Sequence, residues 1–168
     1  SSFYWIRRNK VANTQSMCTS FMGELMTATH NFGTAPTRAT SAADTFKGAL
    51  YLASATINAS TTAYSSTGEV TGTGYSAGGV TVTNATPPSS TNASSTAGVA
   101  YWTPSASLTY TSVTLTTAFD AVLIYNSTQS NKAVSVHTFG SQTVTAGTFT
   151  LTMPSNSTTT ALLRLATT

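Results

Sequence analysis

Apolar and polar residues alternate most cleanly near the end of the chain, where Phe149, Leu151 and Met153 are spaced by Thr148, Thr150 and Thr152. A period of two predicts a strand with one face turned inward and a threonine-coated face turned to water. Residues 45–53 repeat it, with Phe46, Gly48, Leu50 and Leu52 on one face and Thr45, Lys47, Ala49 and Tyr51 on the other. Residues 119–125 are apolar on both faces apart from Asp120, as in a strand covered on both sides. Shorter strands are predicted over 79–84, over 99–102 (stopped by Pro104), over 113–116, over 133–139 with Gly140 as the turn after it, and over 161–165. Residues 126–131 form a hairpin loop, and 34–44, 53–67 and 86–95 are loops by composition.

Helical spacing occurs once. Met17, Phe21 and Leu25 fall four apart with Cys18, Met22 and Met26 beside them, predicting a helix over 14–30 capped by Asn13 or Thr14 and stopped by Asn31 and Gly33. The expected fold is mainly β: an antiparallel β-sandwich or barrel of seven to eight strands with one N-terminal α-helix. Residues 1–13 read as an aromatic and basic arm, and 14–168 as a single β domain that the helix leads.

Residues 69–80 break the strand pattern with Gly72, Gly74, Gly78 and Gly79, framed by Glu69 and Tyr75. Glycine at this density predicts a shaped loop with positive φ or close backbone approach. Glu69 is expected to accept backbone N–H groups from it. A phosphate loop would need a lysine and a strand-to-helix context, and neither is present.

Only 7% of residues are charged while 40% are hydrophobic. Threonine and serine fill the polar positions, which fits an ordered protein packed against neighbours better than a free monomer kept apart by charge. Of seven basic residues, Arg7, Arg8 and Lys10 sit in the arm and the other four are scattered. No basic face forms, so no nucleic-acid partner is expected. No apolar run approaches a membrane span, and the first residues do not have signal-peptide form, so folding in the cytosol of the producing cell is expected.

The acidic residues Glu24, Asp44, Glu69 and Asp120 stand alone in sequence, His30 and His137 lack zinc-ligand spacing, and no nucleophile elbow occurs. Neither an enzyme nor a cofactor or metal site is expected. Glu69 and Asp120 read as fold pins and Cys18 cannot form an intrachain disulfide. The candidate partner-binding residues are Phe3, Tyr4, Trp5, Arg7, Arg8 and Lys10 in the arm and Met17, Phe21 and Leu25 on the helix, since aromatics and arginine dominate interface energies. Tyr64, Tyr75, Tyr101 and Trp102 would form an aromatic platform for sugars if exposed together.

Four blocks carry a resemblance: Thr45-Phe46-Lys47-Gly48-Ala49-Leu50-Tyr51, the segment from Glu69 to Gly79, Ala121-Val122-Leu123-Ile124-Tyr125-Asn126, and Val136-His137-Thr138-Phe139-Gly140. In this order they resemble a family of small structural proteins of tailed-bacteriophage virions. The resemblance implies a non-enzymatic virion component made in the bacterial cytoplasm, homo-oligomeric, with the major capsid protein or other virion proteins as partners. A capsid decoration (cement) protein is the first expectation. A neck, tail or head-fibre-base protein of the same virion is the alternative, and a receptor- or carbohydrate-binding module is a third.

Overall fold

The computed structural model describes residues 12–26, 28–33, 42–91 and 98–167. In chain order the elements are β1 (Ser16–Met17), α1 (Thr19–Met26), β2 (Phe46–Leu52), β3 (Val80–Thr81), β4 (Ser89–Ser90), β5 (Val99–Trp102), β6 (Leu108–Asn126), β7 (Lys132–Leu151) and β8 (Leu163–Ala166). The fold is mainly β, as predicted, with two antiparallel sheets ordered β1-β7-β6-β2-β3 and β4-β5-β8.

β2 and the end of β6 are covered on both sides. Phe46, Ala49, Leu50 and Tyr51 are buried, as are all residues from Ala121 to Asn126. The small sheet is tied to this centre by an aromatic cluster. Phe32 stacks on Phe46 at 4.2 Å, and Trp102 of β5 meets Phe32 edge-on at 4.7 Å. Asn84 fixes the Trp102 indole, accepting its Nε1–H at 2.8 Å while donating to the Phe32 carbonyl at 2.7 Å.

The strands predicted over 113–116 and 119–125 are one strand, β6, and those over 133–139 and 148–153 both run into β7. Gly140 is not a turn but lies within β7, in one of its bulges. The register shifts four times between Ala121 and Tyr110. Extra residues fall on β7 between the Ala121–Thr138 and Phe119–Gln142 pairs, then on β6, then on β7, then on β6 again. The offsets cancel, and Leu108 still pairs with Leu151. Ser112 (φ 52) and Ala146 (φ 46) lie in two of these shifts. Such bulges deepen the twist and interrupt alternation, which is why the sequence reads as broken strands.

The helix is shorter than 14–30. Asn13 and Thr14 are not caps: both bond Ile57, through Ile57 N–H to Asn13 Oδ1 and Thr14 N–H to the Ile57 carbonyl, each at 3.0 Å. Met17 is not helical; it pairs with Ser135 in β1. The helix stop is not Asn31 and Gly33 but Ala28, at φ 55. Its N–H reaches the Leu25 carbonyl at 3.1 Å and the Thr29 N–H reaches that of Glu24 at 3.0 Å, a Schellman closure on alanine. The strand expected over 79–84 is confined to Val80–Thr81, and Ser89–Ser90, inside the expected loop over 86–95, forms an exposed strand beside β5.

Candidate functional site

Three arrangements stand out. The first is an apolar crevice of about 100 Å³ between α1 and the small sheet. Met17, Phe21 and Leu25 line one wall, so the three helix-face candidates do converge, although Met17 arrives from β1. Phe21 is buried, its ring edge-on to His30 at 4.9 Å, so it forms the wall and not a projecting contact. Trp102, Leu163 and Leu165 form the other wall. Met22 and Leu165 are the large apolar side chains left exposed among the described residues, at 47% and 42%. Met22 belongs to the helix stripe read from the sequence, whereas Leu165 was not singled out. Phe3, Tyr4, Trp5, Arg7, Arg8 and Lys10 lie outside the described residues.

The second is the glycine segment. Glu69 is buried and accepts three hydrogen bonds of 2.7 Å: Tyr75 hydroxyl and Gly78 N–H to Oε1, Tyr64 hydroxyl to Oε2. The expected backbone donor is there; the two tyrosines were not foreseen. Tyr125 donates to the Gly78 carbonyl at 2.8 Å, and its ring stacks on Tyr64 at 4.8 Å. Gly72 and Gly74 lie against the backbone of Thr114 and Ser112 of β6, where a Cβ would overlap the carbonyl oxygens. The loop therefore serves as a clasp across β2 and β6. Burial pushes the Tyr64, Tyr75 and Tyr110 hydroxyls above the ordinary phenol range, with the Glu69 charge adding to it.

The third is a polar network under α1. Asn126, fully buried, accepts the Thr128 and Gln129 N–H groups on Oδ1, each at 3.1 Å, which fixes its amide orientation. Its Nδ2 then donates to Asp44 at 2.7 Å and to His30 Nδ1 at 3.1 Å. His30 must carry its proton on Nε2, which it gives to Glu24 at 2.6 Å. Lys132 completes the set, 2.9 Å from the other Glu24 oxygen. Burial raises Glu24, but the hydrogen bonds from His30 and Lys132 outweigh it and hold the carboxyl below its usual 4.5.

Nucleophiles have little to work with. Ser135 Oγ lies 2.8 Å from His137 Nε2, but burial pushes that imidazole down to about 4, a weak base at neutral pH. The four carboxylates are engaged elsewhere, Asp120 by Asn13 Nδ2 at 2.7 Å. Cys18 is buried, and burial together with the Glu24 charge pushes its thiol up to about 11. Among the described residues no group of His, Cys, Asp and Glu could hold a metal ion. The aromatic sugar platform does not form: Trp102 is buried, and Tyr64 and Tyr75 turn their hydroxyls to Glu69. No family model, curated protein or solved structure matches the chain.

Proposed function

We propose that this chain is a non-enzymatic structural protein of a tailed-bacteriophage virion, in the first place a decoration protein on the outside of the assembled head. The family resemblance supplies the virion. The apolar crevice, with Leu165 of its wall left exposed, is the observation that favours adhesion over turnover. The resembling blocks are also neighbours in space: Gly48 pairs with Ile124, Tyr51 with Glu69 and Val136 with Leu123. What the blocks share is then a scaffold. A protein that binds only the assembled lattice stabilises it by mass action, about 2.7 kcal/mol per site at a hundredfold excess over Kd. The major capsid protein is the partner this reading names.

Quantitative mass spectrometry of purified particles tests it, as copies per major capsid protein. Cyclic and icosahedral symmetry set the scale, on the order of hundreds of copies for a decoration protein and about a dozen for a neck or fibre-base part. Absence from washed particles would end the virion reading.

A further inference from the structure

We infer that two adjoining hollows between β7 and the start of β8 form a site for a small aliphatic carboxylate, its acid group taken by Arg164 and His137 and its chain lying against Phe139, Leu151 and Met153. The inference does not rest on the virion reading.

One hollow, of about 290 Å³, is walled mainly by apolar side chains, among them Ile124, Phe139, Leu151 and Met153. The other, of about 260 Å³, is more polar and is walled in part by Ser135 and Arg164. Gln15, His137 and Leu162 line both, so the two adjoin. Together they reach the scale of small-ligand sites, roughly 300–1,000 Å³. An apolar half joined to a polar half selects an amphipathic molecule.

His137 brings a spare donor to this site. Burial pushes the imidazole down to about 4, so near neutral pH it carries one ring proton. Ser135 is buried, and its hydroxyl is bonded to His137 Nε2 at 2.8 Å. A buried hydroxyl left without an acceptor is costly, so Ser135 donates to Nε2 and the ring proton sits on Nδ1. That N–H meets no acceptor among the described residues. Ser20 Oγ is the one sealed and unbonded side-chain polar atom among them, so the Nδ1–H is open to solvent on a ring that walls both hollows.

Arg164 supplies the charge. Its Nε–H donates to the Thr158 carbonyl at 2.6 Å, which holds the guanidinium in place. The chain has four acidic side chains, and all are engaged elsewhere: Glu24 by His30 and Lys132, Asp44 by Asn126, Glu69 by Tyr64 and Tyr75, and Asp120 by Asn13. The chain therefore offers Arg164 no acidic side chain as a counter-ion. A carboxylate from outside suits both the planar cation and the neutral N–H, and charge-assisted bonds of this kind are the strong ones. The apolar hollow alongside favours an acid with an alkyl chain over a bare anion.

Calorimetric titration of the full chain with octanoate at neutral pH tests this, with octanol and acetate as the uncharged and chainless counterparts. Octanoate should saturate one site and bind about tenfold tighter than either counterpart, or better. Arg164→Gln should weaken octanoate about tenfold, whereas Lys47→Gln, which removes a cation on β2 outside both hollows, should leave it unchanged. The ring-nitrogen resonances of His137 should report the Nδ1–H form in the free chain and move as octanoate is added. Failure to saturate, a counterpart bound as tightly as octanoate, equal losses in the two variants, or an unmoved His137 each overturn the proposal. None of these results depends on how many copies a particle carries.

Discussion

Tyr75 donates its hydroxyl to Glu69 at 2.7 Å while that oxygen accepts the Leu50 N–H at 3.0 Å. One phenol thus joins the glycine segment to the backbone of β2 and fills a lone pair of a buried carboxylate. Tyr75→Phe removes both bonds and leaves the Leu50 amide without that acceptor. The expected loss is about 1–3 kcal/mol in urea unfolding with the slope unchanged. An unchanged midpoint would show that water serves the clasp as well as the tyrosine does.

Two glycines separate strain from freedom. Gly79 has φ 72, and a Cβ there would overlap the Gly48 carbonyl across the β2–β3 pair. Gly79→Ala should cost roughly 3 kcal/mol or more, combining left-handed strain with backbone overlap. Gly140 has open space around its Cβ position and no left-handed φ. Gly140→Ala should stabilise by about 0.4–1 kcal/mol through the unfolded chain. Similar losses at both sites would contradict the strand role of Gly140.

The contrast also explains what the sequence could and could not tell. Glycine marks turns, close approaches and bulged strands alike, so Gly140 read as a turn while Gly72 to Gly79 read correctly as a shaped loop. β2 was legible because its alternation is uninterrupted. β6 and β7 were not, because paired bulges on opposite strands break the period and then cancel. Met17 sits four residues before Phe21 and looks helical, but pairing with Ser135 outweighs one more helical turn. The Glu69 partners Tyr64 and Tyr75, and the crevice wall of Trp102, Leu163 and Leu165, are set by tertiary contacts that local spacing does not encode.

Alkali should loosen the fold early. Burial, with the Glu69 charge adding to it, raises the Tyr51 and Tyr125 hydroxyls from an ordinary 10 to about 12. A phenol whose folded pKa lies above its unfolded one is bound to its proton more tightly when folded. Its contribution is intact below 10 and is withdrawn as pH rises toward 12. Stability should fall steeply across that window, each raised unit costing about 1.4 kcal/mol. Tyrosinate absorbance should appear together with the loss of native circular dichroism. Titration of these phenols in the intact fold with ordinary values would refute the burial assigned to them.

The acid side has a different origin. Burial lowers His137 from 6.5 to about 4. The unfolded chain then binds more protons than the folded one between those values, so stability is intact above 6.5 and falls as pH drops toward 4. Glu24, held below 4.5, is lost only at lower pH. His137→Gln cannot titrate yet can still bond Ser135, and should flatten the slope between 6.5 and 4 while leaving the lower-pH transition in place. Urea midpoints across this range make the comparison. An undiminished slope in the variant would move its source away from His137.

Asn126 offers the sharpest single-atom test. Its Oδ1 is filled by two backbone N–H groups, so only Nδ2 can face Asp44 and His30. Asn126→Asp keeps the shape and turns that donor into an acceptor 2.7 Å from a carboxylate oxygen of Asp44. With both groups buried, the expected loss is about 3–5 kcal/mol at neutral pH, that of an uncompensated buried charge. Asp44→Asn added to it restores a donor between the two positions, and the double-mutant cycle should return 1 kcal/mol or more, within the roughly 0.5–3 kcal/mol range of directly bonded pairs. Because the His30 tautomer follows from the Asn126 orientation, Asn126→Asp should also shift the ring-nitrogen resonances of His30 away from the Nε2–H form. Additive energies and an unmoved His30 signal would mean that Asp44 and His30 do not depend on the Asn126 amide, and the network would reduce to the Glu24, His30 and Lys132 contacts.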